Sequence, residues 1–157
     1  MQVASNQVWV RGTDEDVDNF ADELKAIYNH PFNELKLRWR DDMMMAYYDT
    51  VNVPEPNVIQ ELSGRFPGLL IKMVGFEFIS ADMKGGWVFE AGECTFGRIY
   101  IMSVNASMLP SLNWAGELDL TLDDKQDVEP GPGVSWTSAT NLRRFGFRND
   151  EVAAEPL

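Results

Sequence analysis

Just two stretches of this chain carry the three- to four-residue apolar spacing of an amphipathic helix; elsewhere the apolar residues alternate or come in short runs. A striped helix and a one-faced strand each need a partner layer to bury their apolar side. The chain is therefore read as an α+β protein. The first helix is predicted from Thr13 to about Tyr28. Val17, Phe20, Ala21, Leu24, Ile27 and Tyr28 share one face, and Thr13 with Asp16 makes a capping start before Pro31 ends the run. The second opens at Pro54 and Pro56, turns Val58, Ile59 and Leu62 inward, and finishes near Gly64.

Strands are predicted at 7–11, at 35–40 with Leu35, Leu37 and Trp39 inward, and at 43–48, where Met43-Met44-Met45 opens a continuous apolar run. Further strands follow at 69–74 and at 87–90, after Gly85-Gly86. The order β-α-β-β-α-β is the split βαβ pattern of ferredoxin-like folds. Beyond Gly97 the texture is β-rich, with strands expected at 98–104, 117–122, 134–138 and 145–148 and a polar loop at 123–133. The expected organisation is one domain over 1–157. It comprises a ferredoxin-like core at 6–93, a β-rich extension at 98–148 and a frayed acidic tail at 149–157.

With 157 residues, 45% of them apolar, the chain has enough large side chains for a real core. No run approaches the roughly 18 continuous apolar residues of a membrane span. Met1 to Asn6 has neither a basic nor an apolar segment, so no secretory signal is expected. A single cysteine, Cys94, closes no internal disulfide, and a reducing, cytoplasmic setting is expected.

The charge is one-sided: 25 acids against 13 Lys and Arg give a net −12. That balance opposes nucleic acid and anionic lipid, whose phosphates need cations, and favours encounter with basic partners. Six acids and no base fall within 14–23. The first-turn acids suit the helix dipole, but Asp18, Asp22 and Glu23 lie beyond it. Asp14/Asp18 and Asp18/Asp22 are like-charge i,i+4 pairs, each costing about 0.2–0.5 kcal/mol. A helix that tolerates this either presents a carboxylate row to a basic partner or is a solvated face. Basic residues gather instead at Lys36, Arg38 and Arg40, and at Arg143, Arg144 and Arg148.

Catalytic chemistry has few candidates. His30 is the sole histidine and sits where a helix-end His caps carbonyls. Cys94 lies among acidic neighbours that raise a thiol pKa, and is read as a core filler. No phosphate loop, dinucleotide fingerprint, zinc-protease motif or nucleophile elbow occurs. Asp119, Asp123, Asp124, Asp127 and Glu129 lack the register of a calcium loop and are read as solvated. No cofactor, metal or catalytic residue is expected.

Asn6-Gln7-Val8-Trp9-Val10 with Gly12, Tyr48-Asp49-Thr50, Glu61 through Pro67 (ELSGRFP) and Gly86 through Glu93 (GWVFEAGE) together resemble the YubB-like family of plasmid and phage proteins. The resemblance covers about residues 6–93. It implies a ferredoxin-like domain and a mobile-element origin, and brings no catalytic residues.

The leading expectation is a non-enzymatic, acidic mobile-element protein that inhibits a host nucleic-acid-binding defence factor, of CRISPR or restriction type, by occupying its basic groove. The partner-binding residues would be Asp14, Glu15, Asp18, Asp22, Glu23, Asp119, Asp123 and Asp124. Neither nucleic acid nor membrane is an expected direct partner. The alternatives are a phage or plasmid structural or binding module without a charge-based target, and a small carboxylate-dependent hydrolase.

Overall fold

In the computed structural model, residues 3–28, 34–51, 53–77, 83–101, 109–120 and 127–130 are described. The elements run β1 (Val3–Arg11), α1 (Asp14–Tyr28), β2 (Lys36–Arg40), β3 (Met43–Val51), α2 (Pro56–Arg65), β4 (Leu70–Glu77), β5 (Met83–Glu90), β6 (Glu93–Ile101), β7 (Ser111–Leu112), β8 (Leu118–Asp119) and β9 (Asp127–Pro130). Seven strands make one sheet in the order β2-β3-β1-β4-β5-β6-β9, and β7 with β8 forms a separate hairpin. Every pairing is antiparallel.

This corrects the expected ferredoxin-like split βαβ core with an appended β-rich extension. Six strands curl into an antiparallel half-barrel served by two helices. The strand expected to close the core is β5, an interior strand between β4 and β6, and the expected core-to-extension boundary falls within β6. The reason lies in the side chains of β5. Trp87 and Phe89 are fully buried on one face and Val88 is fully buried on the other, so the strand needs cover on both sides. The two-residue turn Ala91-Gly92, both at positive φ, then feeds the chain directly back as β6.

The same strand absorbs Gly85-Gly86, expected to lie ahead of it. The Trp87 indole lies along the strand over Gly85, where an added Cβ would meet its ring at 2.5 Å. Glycine here allows close packing within a strand.

Alternation divides the apolar residues into two cores, one on each face of the sheet. Val8, Val10, Met44, Ala46, Ile71, Met73, Trp87 and Phe89 face α1 and α2, which supply Val17, Phe20, Ala21, Leu24, Ile59 and Leu62. Trp9, Met45, Val74, Val88 and Phe96 face the β7–β8 hairpin, which supplies Leu112, Leu118 and neighbouring Leu120. The methionine run is thus split, Met44 into the first core and Met45 into the second. A bulge completes the division: Phe89 pairs with Cys94 but Val88 pairs with Phe96, leaving Thr95 as the extra residue. Cys94 and Phe96 therefore point to opposite faces although they are two residues apart.

Helix α1 is built much as its spacing predicts, and the backbone N–H of Asp16 donates to Thr13 Oγ1 at 3.3 Å. Ile27 is exposed rather than inward. The polar loop expected at 123–133 contains β9. The strands expected at 134–138 and 145–148, the second basic cluster, His30, Pro31 and the acidic tail lie outside the described residues.

Candidate functional site

Packing fixes which way the acidic helix looks. Val17, Phe20, Ala21, Leu24 and Tyr28 are buried against the sheet, so the opposite side of α1 faces solvent. At about 100° per residue, Asp14, Glu15, Asp18 and Asp22 fall within a sector of about 100° that runs from the edge of the buried stripe, beside Ala21, toward the solvent side and also takes in Lys25. All four are exposed. Among the described residues Asp14, Glu15 and Asp18 form no ion pair, whereas Asp22 reaches Lys25 Nζ at 4.0 Å. Glu23 lies at the flank: its Oε2 accepts from Arg65 Nη1 of α2 at 3.3 Å, and Arg65 also donates to Glu61. Glu23 is thus committed to holding the two helices together at their rim, apart from the open row.

The remaining predicted acids are not part of that row. Asp119 is partly buried on β8, whose neighbour Leu118 belongs to the second core, so it lies across the sheet from α1. Asp123 and Asp124 lie outside the described residues. The eight-residue set is therefore not one surface: α1 gathers four of its members, Glu23 stands at the helix rim, and Asp119 is on the other face.

The second face holds cations that the sequence did not single out as a group. Lys72 on β4, Lys84 on β5 and Arg98 on β6 are all buried, and their registers put them on the side of Val74, Val88 and Phe96. Lys72 Nζ donates to the Gly116 carbonyl at 2.7 Å and stands 5.5 Å from the centre of the Trp9 ring. Burial pushes its pKa down to about 8, against the raising influence of the Glu117 carboxylate. The hairpin is tied to β1 as well. Gln7 Nε2 donates to the Leu112 carbonyl at 2.8 Å, and Leu112 N–H donates back to Gln7 Oε1 at 3.0 Å. Lysine and arginine at alternate strand positions ordinarily read as solvent-facing, so only the apolar residues interleaved on the same face signalled this covered side.

Beside the hairpin a cleft of about 290 Å³ opens over β1, β3 and β4. Its lining is mostly apolar, from Tyr47, Val74, Phe76, Leu109 and Pro110, with Gln7 and a Ser5–Asp49 hydrogen bond of 3.2 Å as polar features.

Other titratable groups serve the first core. Tyr28 and Tyr48 stack at 4.2 Å, and Tyr28 OH donates to Glu55 Oε1 at 2.9 Å. Burial, reinforced by Glu55, raises the Tyr28 pKa, and burial raises that of Tyr48. Burial also pushes the Cys94 thiol up to about 11, with the Phe96 carbonyl bond acting the other way. Desolvation, not the acidic neighbours invoked from sequence, is thus its leading cause. Among the described residues no group of three or more His, Cys, Asp or Glu is placed to hold a metal ion.

Lys36, Arg38 and Arg40 lie together on β2, all exposed. Trp39, expected inward, is 50% exposed because β2 ends the sheet and has a neighbour on one side only among the described strands. Among the described residues no helix is long and apolar enough to cross a membrane.

No protein-family description, curated protein or solved structure matches the chain.

Proposed function

We propose that this is a non-enzymatic acidic protein of a phage or plasmid, acting in the host cytoplasm on a nucleic-acid-binding defence factor. It would occupy that factor's basic groove with the solvent face of α1. The observation that carries the reading is the open row Asp14, Glu15, Asp18 and Asp22, exposed and, but for Asp22, free of ion pairs among the described residues. Asp14, Asp18 and Asp22 stand on successive turns with Cβ atoms about 5–6 Å apart, so negative charge repeats along one side of the helix. A net charge of −12 adds long-range attraction toward a cationic groove. The mobile-element origin is carried by the sequence resemblance to YubB-like proteins alone, the ferredoxin-like fold which that resemblance implied being absent.

The test captures partners from host lysate on the tagged protein and reconstitutes each with purified components. A basic effector that loses its nucleic acid to this protein, with affinity falling steeply as salt rises, supports the reading. Asp14→Asn, Glu15→Gln, Asp18→Asn and Asp22→Asn in combination should abolish that competition. If the quadruple variant competes as well as the parent protein, α1 is not the decoy surface.

A second reading, a binding module without a charge-based target, is favoured by the apolar cleft beside Phe76 and Leu109. Retention of a small apolar ligand by the purified protein, unaffected by salt, would favour it over the inhibitor.

A further inference from the structure

Strand β2 combines three properties: an edge position, a row of cations on one face and a half-exposed indole on the other. Among the described strands it closes one end of the seven-stranded sheet, so alternate backbone N–H and C=O groups face away from β3. Its partners in register are Tyr47 for Lys36, Met45 for Arg38 and Met43 for Arg40, which places the three cations on one face of the sheet. On the other face Leu37 is partly buried against the first core, and beside it Trp39 is half exposed.

Charged residues on an edge strand commonly serve to discourage another strand from pairing there. Two observations argue for more than that. Acids outnumber bases 25 to 13, yet none of Lys36, Arg38 and Arg40 has an acidic partner among the described residues. An edge built only for repulsion also gains nothing from an exposed indole, which adds apolar surface where pairing is to be avoided. The Trp39 ring is met on one side by Lys25 Nζ at 5.9 Å, and half of its surface is left for a further contact.

We infer that β2 is a docking edge for an acidic polypeptide segment that adds to the sheet as an extended strand. Main-chain hydrogen bonds along β2 would supply the pairing. Carboxylates at every second position would meet Lys36, Arg38 and Arg40, and an apolar side chain of the alternate set would rest on Trp39. The charge complementarity selects the partner: in a chain of net charge −12, Lys36, Arg38 and Arg40 gather three cations on one strand face, so an acidic segment is attracted to this edge. The site is separate from the α1 carboxylates of the proposed inhibitor surface and stands or falls independently of them.

The experiment measures binding of a labelled peptide to the full chain by fluorescence anisotropy at low salt. The peptide carries glutamate at every second position, with valine and threonine between. Binding is expected to weaken about tenfold in Lys36→Gln/Arg38→Gln/Arg40→Gln, as three exposed charge pairs are lost together. It should also weaken in Trp39→Ala and disappear for a peptide N-methylated at alternate amides. Amide exchange at 36–40 should slow when the unmodified peptide is added. All four positions are exposed, and the melting temperature of each variant confirms that it is folded.

Three results overturn the inference. The peptide does not bind, so the cations only blunt the edge. The N-methylated peptide, or one with its glutamates contiguous, binds equally well, so the surface is a cationic patch without strand pairing. Or single-stranded oligonucleotide displaces the peptide and binds more tightly through the same cations, so the partner is nucleic acid.

Discussion

The indole Nε1 of Trp9 donates to the carbonyl oxygen of Trp114 at 3.3 Å, joining the first strand to a hairpin 105 residues later. The same ring faces Lys72 Nζ and sits against Gly116, where an added Cβ would come within 2.9 Å of it. One aromatic side chain thus gathers a strand neighbour, a buried cation and a turn into the second core.

Gly116 is the most sensitive point of that arrangement. It combines a φ of +75° with the close approach to Trp9, and either feature penalises a side chain. Gly116→Ala is expected to cost about 2–4 kcal/mol, combining left-handed strain with overpacking. Urea unfolding followed by tryptophan fluorescence measures it; a loss below about 0.5 kcal/mol would show that the hairpin relaxes freely away from Trp9.

Lys72 makes stability depend on pH in a defined direction. Its folded pKa is about 8 and its ordinary value 10.5, so above pH 8 the folded protein releases this proton before the unfolded chain does. Stability therefore rises as pH increases from 8 to 9, by up to about 1 kcal/mol before solvent screening. Across the same range the raised thiol of Cys94 opposes the trend, because the unfolded thiol, ordinarily near 9, ionises before the folded one, so the net gain in the parent protein is smaller than the Lys72 contribution alone. Chemical denaturation at pH 8 and 9 should show the gain in the parent protein and its absence in Lys72→Met.

Ala91 occupies a turn position that glycine or asparagine adopts more readily, at φ +50° beside Gly92 at +83°. Ala91→Asn gives the residue pair preferred in such hairpin turns. The change is expected to stabilise the β5–β6 hairpin by about 0.5–1 kcal/mol, read as a higher urea midpoint with an unchanged slope.

Asp18 lies between Asp14 and Asp22 on the open side of α1. Asp18→Asn removes both like-charge pairs and should stabilise the protein by about 0.4–1 kcal/mol at low ionic strength. The gain should shrink in high salt. Thermal melts at two salt concentrations separate this charge effect from any change in helix propensity.

The first helix was legible because its burial depends on a local stripe, Val17 through Tyr28, and Thr13 caps it from an adjacent position. The open acid row was legible for the same reason, being the complement of that stripe. The sheet was less so, since its key choices are made by distant residues. Gly85 reads as a break until the Trp87 ring is seen lying over it. Lys84 and Arg98 carry charges of the kind that ordinarily face solvent, but both lie on a covered face. Trp39 reads as inward, yet its strand ends the sheet, and sequence alternation does not reveal which strand has a missing neighbour. Thr95 shifts the inward face by one residue without any turn-forming signal. Asp119 was grouped with the helix acids by charge alone, and the sheet separates them.

The two-sided sheet has a consequence for how the protein is made. As the chain leaves the ribosome, β1 through β5 and both helices emerge before residues 109–120, so the first core has all its helical cover early. Trp9, Met45, Val74 and Val88 must wait for Leu112 and Leu118. During that interval the nascent chain carries a bare apolar wall on a half-finished sheet, the kind of surface that invites mispairing between neighbouring polypeptides. The wait from the end of β5 at Glu90 to the arrival of Leu118 is roughly thirty residues of synthesis, on the order of seconds at ordinary elongation rates, and over that time only a shielding contact would keep the second face from pairing wrongly.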